Sequence, residues 1–246
     1  MNFLPACCSR PEDRWPWSQS VPGLHLIALD FESGRFEPDD FARSDILPPP
    51  SVERAVSKRQ AEYLAGRFCA REGVLRATGR PDTPAQGSDR APVWPTGCVG
   101  SITHTRGRAA AVVGQQQHYA GLGLDAEIIM TDDRALPLSR QILTRSEQAR
   151  FRSELASQAG FFVTLVFCLK ETLFKALYPL VQRRFYFEHA ELLAWHPDGT
   201  ASLRLLTTLS PAWPSHTGLE ARFVQEDDRL MSLIAIPAYT TSNHSA

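Results

Sequence analysis

The sequence predicts an α+β fold. Three observations carry the prediction: strand-like runs occur in both halves of the chain, each half holds one long helical pattern near its middle, and the order of runs is similar in the two halves. A length of 246 residues suits one large domain or two small halves.

Residues 1–50 are broken by prolines, contain one apolar strand-like run at 24–29 and end in Pro48-Pro49-Pro50, so they read as an irregular lead-in with a single strand. Over 52–78 the spacing of Leu64, Phe68 and Leu75 predicts a helix, with Gly79 and Pro81 as its stops. Arg67 and Arg71 lie one turn apart on it and share a face. A loop rich in Pro, Gly, Asp and Ser follows as far as Pro92. Residues 98–103 and 109–113 then read as a hairpin turning around Thr105-Arg106-Gly107. The run Gly121-Leu122-Gly123-Leu124-Asp125-Ala126-Glu127-Ile128 alternates strictly, which puts the apolar side chains on one strand face and Asp125 with Glu127 on the other. A polar linker leads to a predicted helix over 142–155 and a second over 161–178, stopped by Pro179. The apolar stripe of the second, Phe162, Leu165, Val166, Leu169, Leu173 and Leu177, is that of a helix packed on a sheet. The tail alternates strand-like runs at 201–206, 220–224 and 230–236 with turns at Asp198-Gly199 and Asp227-Asp228, and 240–246 is expected to fray.

Composition excludes several function classes. Apolar residues are 43% and charged residues 22% of the chain, outside the range of disordered chains. No run approaches the roughly 18 apolar residues of a membrane span. Pro5, Arg10, Glu12, Asp13 and Arg14 come too early for a signal peptide, so export is not expected. Net charge is -1 with no basic stripe, which argues against nucleic acid as a partner. Cys7, Cys8, Cys69, Cys98 and Cys168 lack metal-ligand spacing and form an odd set, so neither a zinc site nor a full disulfide framework is expected and a cytoplasmic location fits.

The basic residues are 23 Arg and three Lys: Lys58, Lys170 and Lys175. In a chain that uses Arg almost everywhere, two Lys five residues apart draw attention, because an ammonium is a compact point contact for phosphate. Two carboxylates at i and i+2 of one strand face, Asp125 and Glu127, would suit Mg²⁺, although a solvated strand face gives the same pattern. Lys170, Glu171 and Lys175 interrupt a helix otherwise built for burial. They read either as helix-surface ion pairing or as a third acid with ammonium groups for a metal-bound pyrophosphate. Gly100-Ser101-Ile102-Thr103-His104-Thr105 sets hydroxyls and an imidazole at a strand end. No nucleophile elbow or acid partner makes a hydrolase pair of Ser101 and His104. Arg67 and Arg71 are either phosphate contacts or the polar face of their helix.

Taken in order, an Arg-rich helix, Pro92-Val93-Trp94-Pro95 leading to Gly100-Ser101-Ile102-Thr103-His104, then Gly123-Leu124-Asp125-Ala126-Glu127, and Phe167-Cys168-Leu169-Lys170-Glu171-Thr172-Leu173-Phe174-Lys175 resemble the 4′-phosphopantetheinyl transferases, in the monomeric branch of the enterobactin-synthetase component D and surfactin type. The likeness covers about residues 54–190. It implies two similar α+β halves related by a pseudo-twofold axis, residues 1–117 and 118–246, with the active site in the cleft between them. It implies transfer of the phosphopantetheine arm of coenzyme A, the co-substrate, to a serine of apo acyl or peptidyl carrier proteins, with adenosine 3′,5′-bisphosphate released. Asp125, Glu127 and Glu171 would ligate Mg²⁺, Glu171 would also accept the serine proton, and Lys175 would contact the transferring phosphate. Thr103 and His104 would hold the nucleotide end of coenzyme A. Arg59, Arg67, Arg71, Arg90 and Lys170 would add phosphate contacts, and Glu147 would sit near the metal. A monomer is expected, since one chain carries both halves. Ala126, Phe167 and Cys168 depart from the family pattern without removing a ligand. The competing readings are a non-catalytic coenzyme A or nucleotide-binding module and a metal-dependent phosphodiester hydrolase. Three carboxylates suit a pure polyphosphate binder poorly unless a cation intervenes.

Overall fold

The structure, a computed structural model, describes residues 4–238; the tail at 240–246 lies outside the described residues. The lead-in contributes β1 (Glu12–Asp13), β2 (His25–Asp30) and two single-turn helices, α1 (Asp40–Arg43) and α2 (Pro50–Glu53). The helix expected from 52 is interrupted before α3 (Ser57–Thr78) begins. Gln60 explains the break: its side-chain amide donates to the carbonyls of Glu53 and Ala55 at 2.7 and 3.0 Å, satisfying orphan groups at the end of α2 while the chain turns. Gly79, at φ 77°, ends α3 in the left-handed conformation.

A small hairpin of β3 (Ala85–Gln86) and β4 (Pro92–Val93) precedes the long hairpin of β5 (Cys98–Thr105) and β6 (Arg108–Gln115). The latter joins an antiparallel sheet of order β1-β2-β6-β5. After β7 (Tyr119–Ile128) comes α4 (Asp132–Ile142), where a polar linker was expected. Pro137 and the charges hide it in the sequence, but Ala135, Ser139 and Ile142 fall at i, i+4 and i+7 and are buried. The helix expected at 142–155 is two, α5 (Arg145–Arg150) and α6 (Arg152–Ser157), parted at Phe151, whose backbone leaves the helical region at φ −107°, ψ 35°. Then α7 (Ala159–Val181) runs through Pro179 instead of stopping before it. In the last turn proline forfeits a single helical hydrogen bond, and the helix ends at left-handed Gln182. A strand not foreseen, β8 (Ala190–Trp195), precedes β9 (Thr200–Leu205), β10 (Gly218–Glu226) and β11 (Arg229–Pro237). The second antiparallel sheet has the order β7-β11-β10-β9-β8.

Each sheet is covered by one long helix. Leu64 and Phe68 of α3 pack on Ile27, Leu29, Ala109 and Ala111 of the first sheet. Phe162, Leu165, Leu169, Leu173 and Leu177 of α7 pack on the second, each fully buried and each contributing roughly 1.5–3 kcal/mol. The remaining faces meet in a core between the sheets, Leu26, Ala110 and Val112 against Leu122, Leu124 and Leu233. Glycine permits the closest approach: a Cβ on Gly123 of β7 would stand 2.0 Å from the Thr172 carbonyl of α7. All five cysteines are free and buried, and no helix among the described residues is long and apolar enough to cross a membrane.

Candidate active site

The alternation of β7 sends Leu122, Leu124 and Ala126 into the core between the sheets and turns Asp125 and Glu127 toward α7. Asp125 is 4% exposed. Its Oδ1 accepts from Lys175 Nζ at 2.6 Å and from Thr103 Oγ1 at 3.2 Å, whereas its Oδ2 is buried with no partner. Lys175 also donates to the Leu124 carbonyl at 3.1 Å. Glu171 stands one turn earlier on the same helix face.

Burial, then repulsion from Asp125 and Glu171, pushes the Glu127 carboxyl up to about 7, with Lys175 opposing. Burial, then Asp125, also raises Glu171. Burial by itself would lower the Lys175 ammonium, but Asp125 and Glu171 outweigh it and hold it above the ordinary lysine value. Three acids thus crowd around one ammonium, with Arg134 acting on Glu127 as well, and Asp125 Oδ2 lacks any donor. That is the donor chemistry of a hard divalent cation, which takes one or two protein carboxylates plus water and phosphate oxygens. Among the described residues, no three His, Cys, Asp or Glu side chains close on a metal unaided. The fit is therefore to a cation completed by substrate.

Beside the acids lies a cleft of about 320 Å³, bounded by Arg90, Trp94, Ser101 and Ile102 from the first sheet's side and by Phe174, Lys175, Tyr178 and Arg184 from the second's. At its mouth Asp89 is hydrogen-bonded to Tyr178, a bond that lowers the Asp89 carboxyl and raises the Tyr178 phenol. On the α3 side, Arg59 Nη1 meets His104 Nε2 at 3.1 Å and Glu62 Oε2 at 3.5 Å. A guanidinium only donates, so the His104 nitrogen accepts. This agrees with a pKa that burial lowers. Arg67 donates to the Ala85 carbonyl and Arg71 to the Ser44 carbonyl, yet both Nε groups are buried and unpartnered.

The sequence model of the 4′-phosphopantetheinyl transferase N-terminal domain matches residues 48–114, and that of the 4′-phosphopantetheinyl transferase superfamily matches residues 121–231. Enterobactin synthase component D of Salmonella typhimurium is 30% identical over 228 residues, 91% of this chain and 90% of that protein. The 4′-phosphopantetheinyl transferase Svp of Streptomyces mobaraensis is 34% identical over 76% of each chain. PptT of Mycobacterium tuberculosis is 34% identical over 69% of this chain and 80% of its own. The chain belongs to the 4′-phosphopantetheinyl transferase superfamily.

As a phosphopantetheinyl transferase it moves 4′-phosphopantetheine from coenzyme A to carrier proteins. The geometry of this transferase gathers Asp125, Glu127 and Glu171 around Lys175, which lines the cleft, and pairs Arg59 with His104. One sequence expectation, that for Lys170, is corrected, and two other residues have their partners within the chain. The Thr103 hydroxyl is held between Asp125 Oδ1 and the Ala126 amide, at 3.2 and 3.1 Å. Lys170 does not reach a phosphate, because all three donors of its buried ammonium are used on the Ile142 carbonyl, the Phe187 carbonyl and Glu147 Oε2. Glu147 is the carboxylate partner of Lys170. Fully buried, it accepts from Lys170 and from the amides of Thr144 and Leu192, and forms a capping box with Thr144 at the start of α5. Sequence reading also missed Glu62, Tyr178 and the pairing of Ser101 with Leu124. The alternation of Ser101 with Thr103 was the available signal for the last.

Proposed function

We propose that this transferase is Mg²⁺-dependent, with Asp125, Glu127 and Glu171 holding the ion. The observation that carries the proposal is the bare, buried Oδ2 of Asp125 within a cluster of three acids and one ammonium. Bound there, Mg²⁺ would neutralise charge on the pyrophosphate of coenzyme A. Lys175 spends two of its three N–H groups on Asp125 and Leu124 and directs the third at the transferring phosphate. Glu171, whose basicity burial raises, takes the proton of the carrier serine directly or through water. The serine oxygen forms its bond to the pantetheine-bearing phosphorus, and the bond to adenosine 3′,5′-bisphosphate breaks. Positioning and charge supply the catalysis, with no covalent enzyme intermediate.

Arg59, His104, Arg67, Arg71 and Arg90 take the phosphates of coenzyme A. The orphan Nε groups of Arg67 and Arg71 support this, since a buried guanidinium with an unpartnered N–H is suited to an anion. The turn between β6 and β7 supports a division into halves at 117/118, and halves carried on one chain support action as a monomer. Five free thiols fit the reducing cytoplasm. Apo carrier serines of acyl or peptidyl type are the acceptors. A chain that only bound coenzyme A would have no use for acids that repel its phosphates.

The test is the initial rate of carrier modification as Mg²⁺ is titrated into metal-stripped wild-type protein and into Asp125→Asn. Saturable activation of the wild type, lost in the variant, is expected. Full transfer in EDTA would overturn the metal assignment.

A further inference from the structure

We propose that Thr103 is a positioning residue that orients Asp125 from across the boundary between the two sheets. The inference rests on the Mg²⁺ reading above. Directionality follows from the donor inventory. The Ala126 amide can only donate, so the Thr103 oxygen accepts there at 3.1 Å, and the hydroxyl proton is free to point at Asp125 Oδ1, 3.2 Å away. Lys175 Nζ reaches the same oxygen from α7. Asp125 Oδ1 is therefore clamped from two elements, β5 and α7, and this fixes the carboxylate so that the burden of ligation falls on the bare Oδ2. Supporting hydrogen bonds of this kind typically tune metal affinity by ten- to a hundred-fold.

Ser101 provides an internal control. Two residues earlier on the same face of β5, its hydroxyl accepts from the Leu124 amide at 3.0 Å, so it closes the same boundary by the same kind of bond. It touches no carboxylate. Removing either hydroxyl leaves one β7 amide without its acceptor, and only Thr103 also releases Asp125.

The experiment measures Mn²⁺ binding by electron paramagnetic resonance in the presence of coenzyme A, together with thermal melts, for the wild type, Thr103→Val, Thr103→Ala, Thr103→Ser and Ser101→Ala. Loss of the hydroxyl at 103 is expected to weaken Mn²⁺ binding about ten-fold or more. Ser at 103 restores it, and Ser101→Ala binds as the wild type does. The melting temperatures of Thr103→Val and Ser101→Ala should fall by similar amounts. If Thr103→Val is unstable, Thr103→Ala makes the same deletion without crowding. Wild-type affinity in both deletions, or equal weakening by Ser101→Ala, would overturn the positioning role. Wild-type protein that takes up no Mn²⁺ with coenzyme A present would remove the metal reading, and this role with it.

Discussion

Replacing Glu127 with Gln should stabilise the metal-free protein while disabling the enzyme. The Glu127 carboxyl is pushed up to about 7 from an ordinary value of 4.5, first by burial and then by Asp125 and Glu171. A raised acid pKa contributes stability that is complete below the unfolded value and is lost as pH rises through the folded one. At about 1.4 kcal/mol per pH unit the gap integrates to a ceiling of about 3 kcal/mol. The side chain is only half-buried, and screening reduces this to about 1–2 kcal/mol. For a chain of this size that corresponds to roughly 2–8 °C in Tm. In EDTA, melts of the wild type and Glu127→Gln should coincide near pH 4 and separate by pH 8, with the variant higher. With coenzyme A present, added Mg²⁺ should raise the wild-type Tm at pH 8, by binding only the native state, and leave the variant nearly unmoved. Transfer by the variant should fall at least about a hundred-fold if Glu127 ligates the ion, since that charge acts at the reacting phosphate. A variant less stable than the wild type at pH 8, or as active, would refute the reasoning.

Asp125→Ala is expected to abolish measurable carrier modification with an unchanged circular dichroism spectrum; appreciable transfer would contradict its place at the centre of the site. Lys175→Arg should lose about ten-fold or more in kcat, because a planar guanidinium does not fit a slot defined by Asp125 Oδ1 and the Leu124 carbonyl, and equal rates would show that charge alone matters. Lys170→Met leaves Glu147 charged and unpaired in the interior at a cost of about 3–5 kcal/mol. A large drop in Tm with the KM for coenzyme A unchanged is expected. The reverse pattern would return Lys170 to the coenzyme.

Strand β7 and helix α7 are legible because alternation and a 3.6-residue stripe are local signals: Asp125 and Glu127 stand out from Leu122, Leu124 and Ala126, and Glu171 and Lys175 from the leucines around them. Lys170 shows where such reading ends. Its position on α7 is one residue from Glu171, yet helical geometry turns it some 100° away, into a pocket made by Ile142, Glu147 and Phe187. Partners 17 to 28 residues distant leave no trace in the local pattern. The contact of Thr103 with Asp125 is hidden for the same reason, since it depends on β7 lying beside β5. The missed helix α4 and strand β8 have weak apolar patterns and are specified by what they pack against.

The central claim, metal-dependent transfer at this cleft, is tested most directly by the intact mass of an apo carrier protein after incubation with the chain, coenzyme A and Mg²⁺, beside the same mixture containing EDTA. The account predicts a gain of one phosphopantetheine group with Mg²⁺ and none with EDTA. An equal gain in both mixtures, or none on fatty-acid, polyketide and peptide-synthetase carriers despite coenzyme A binding, would contradict it.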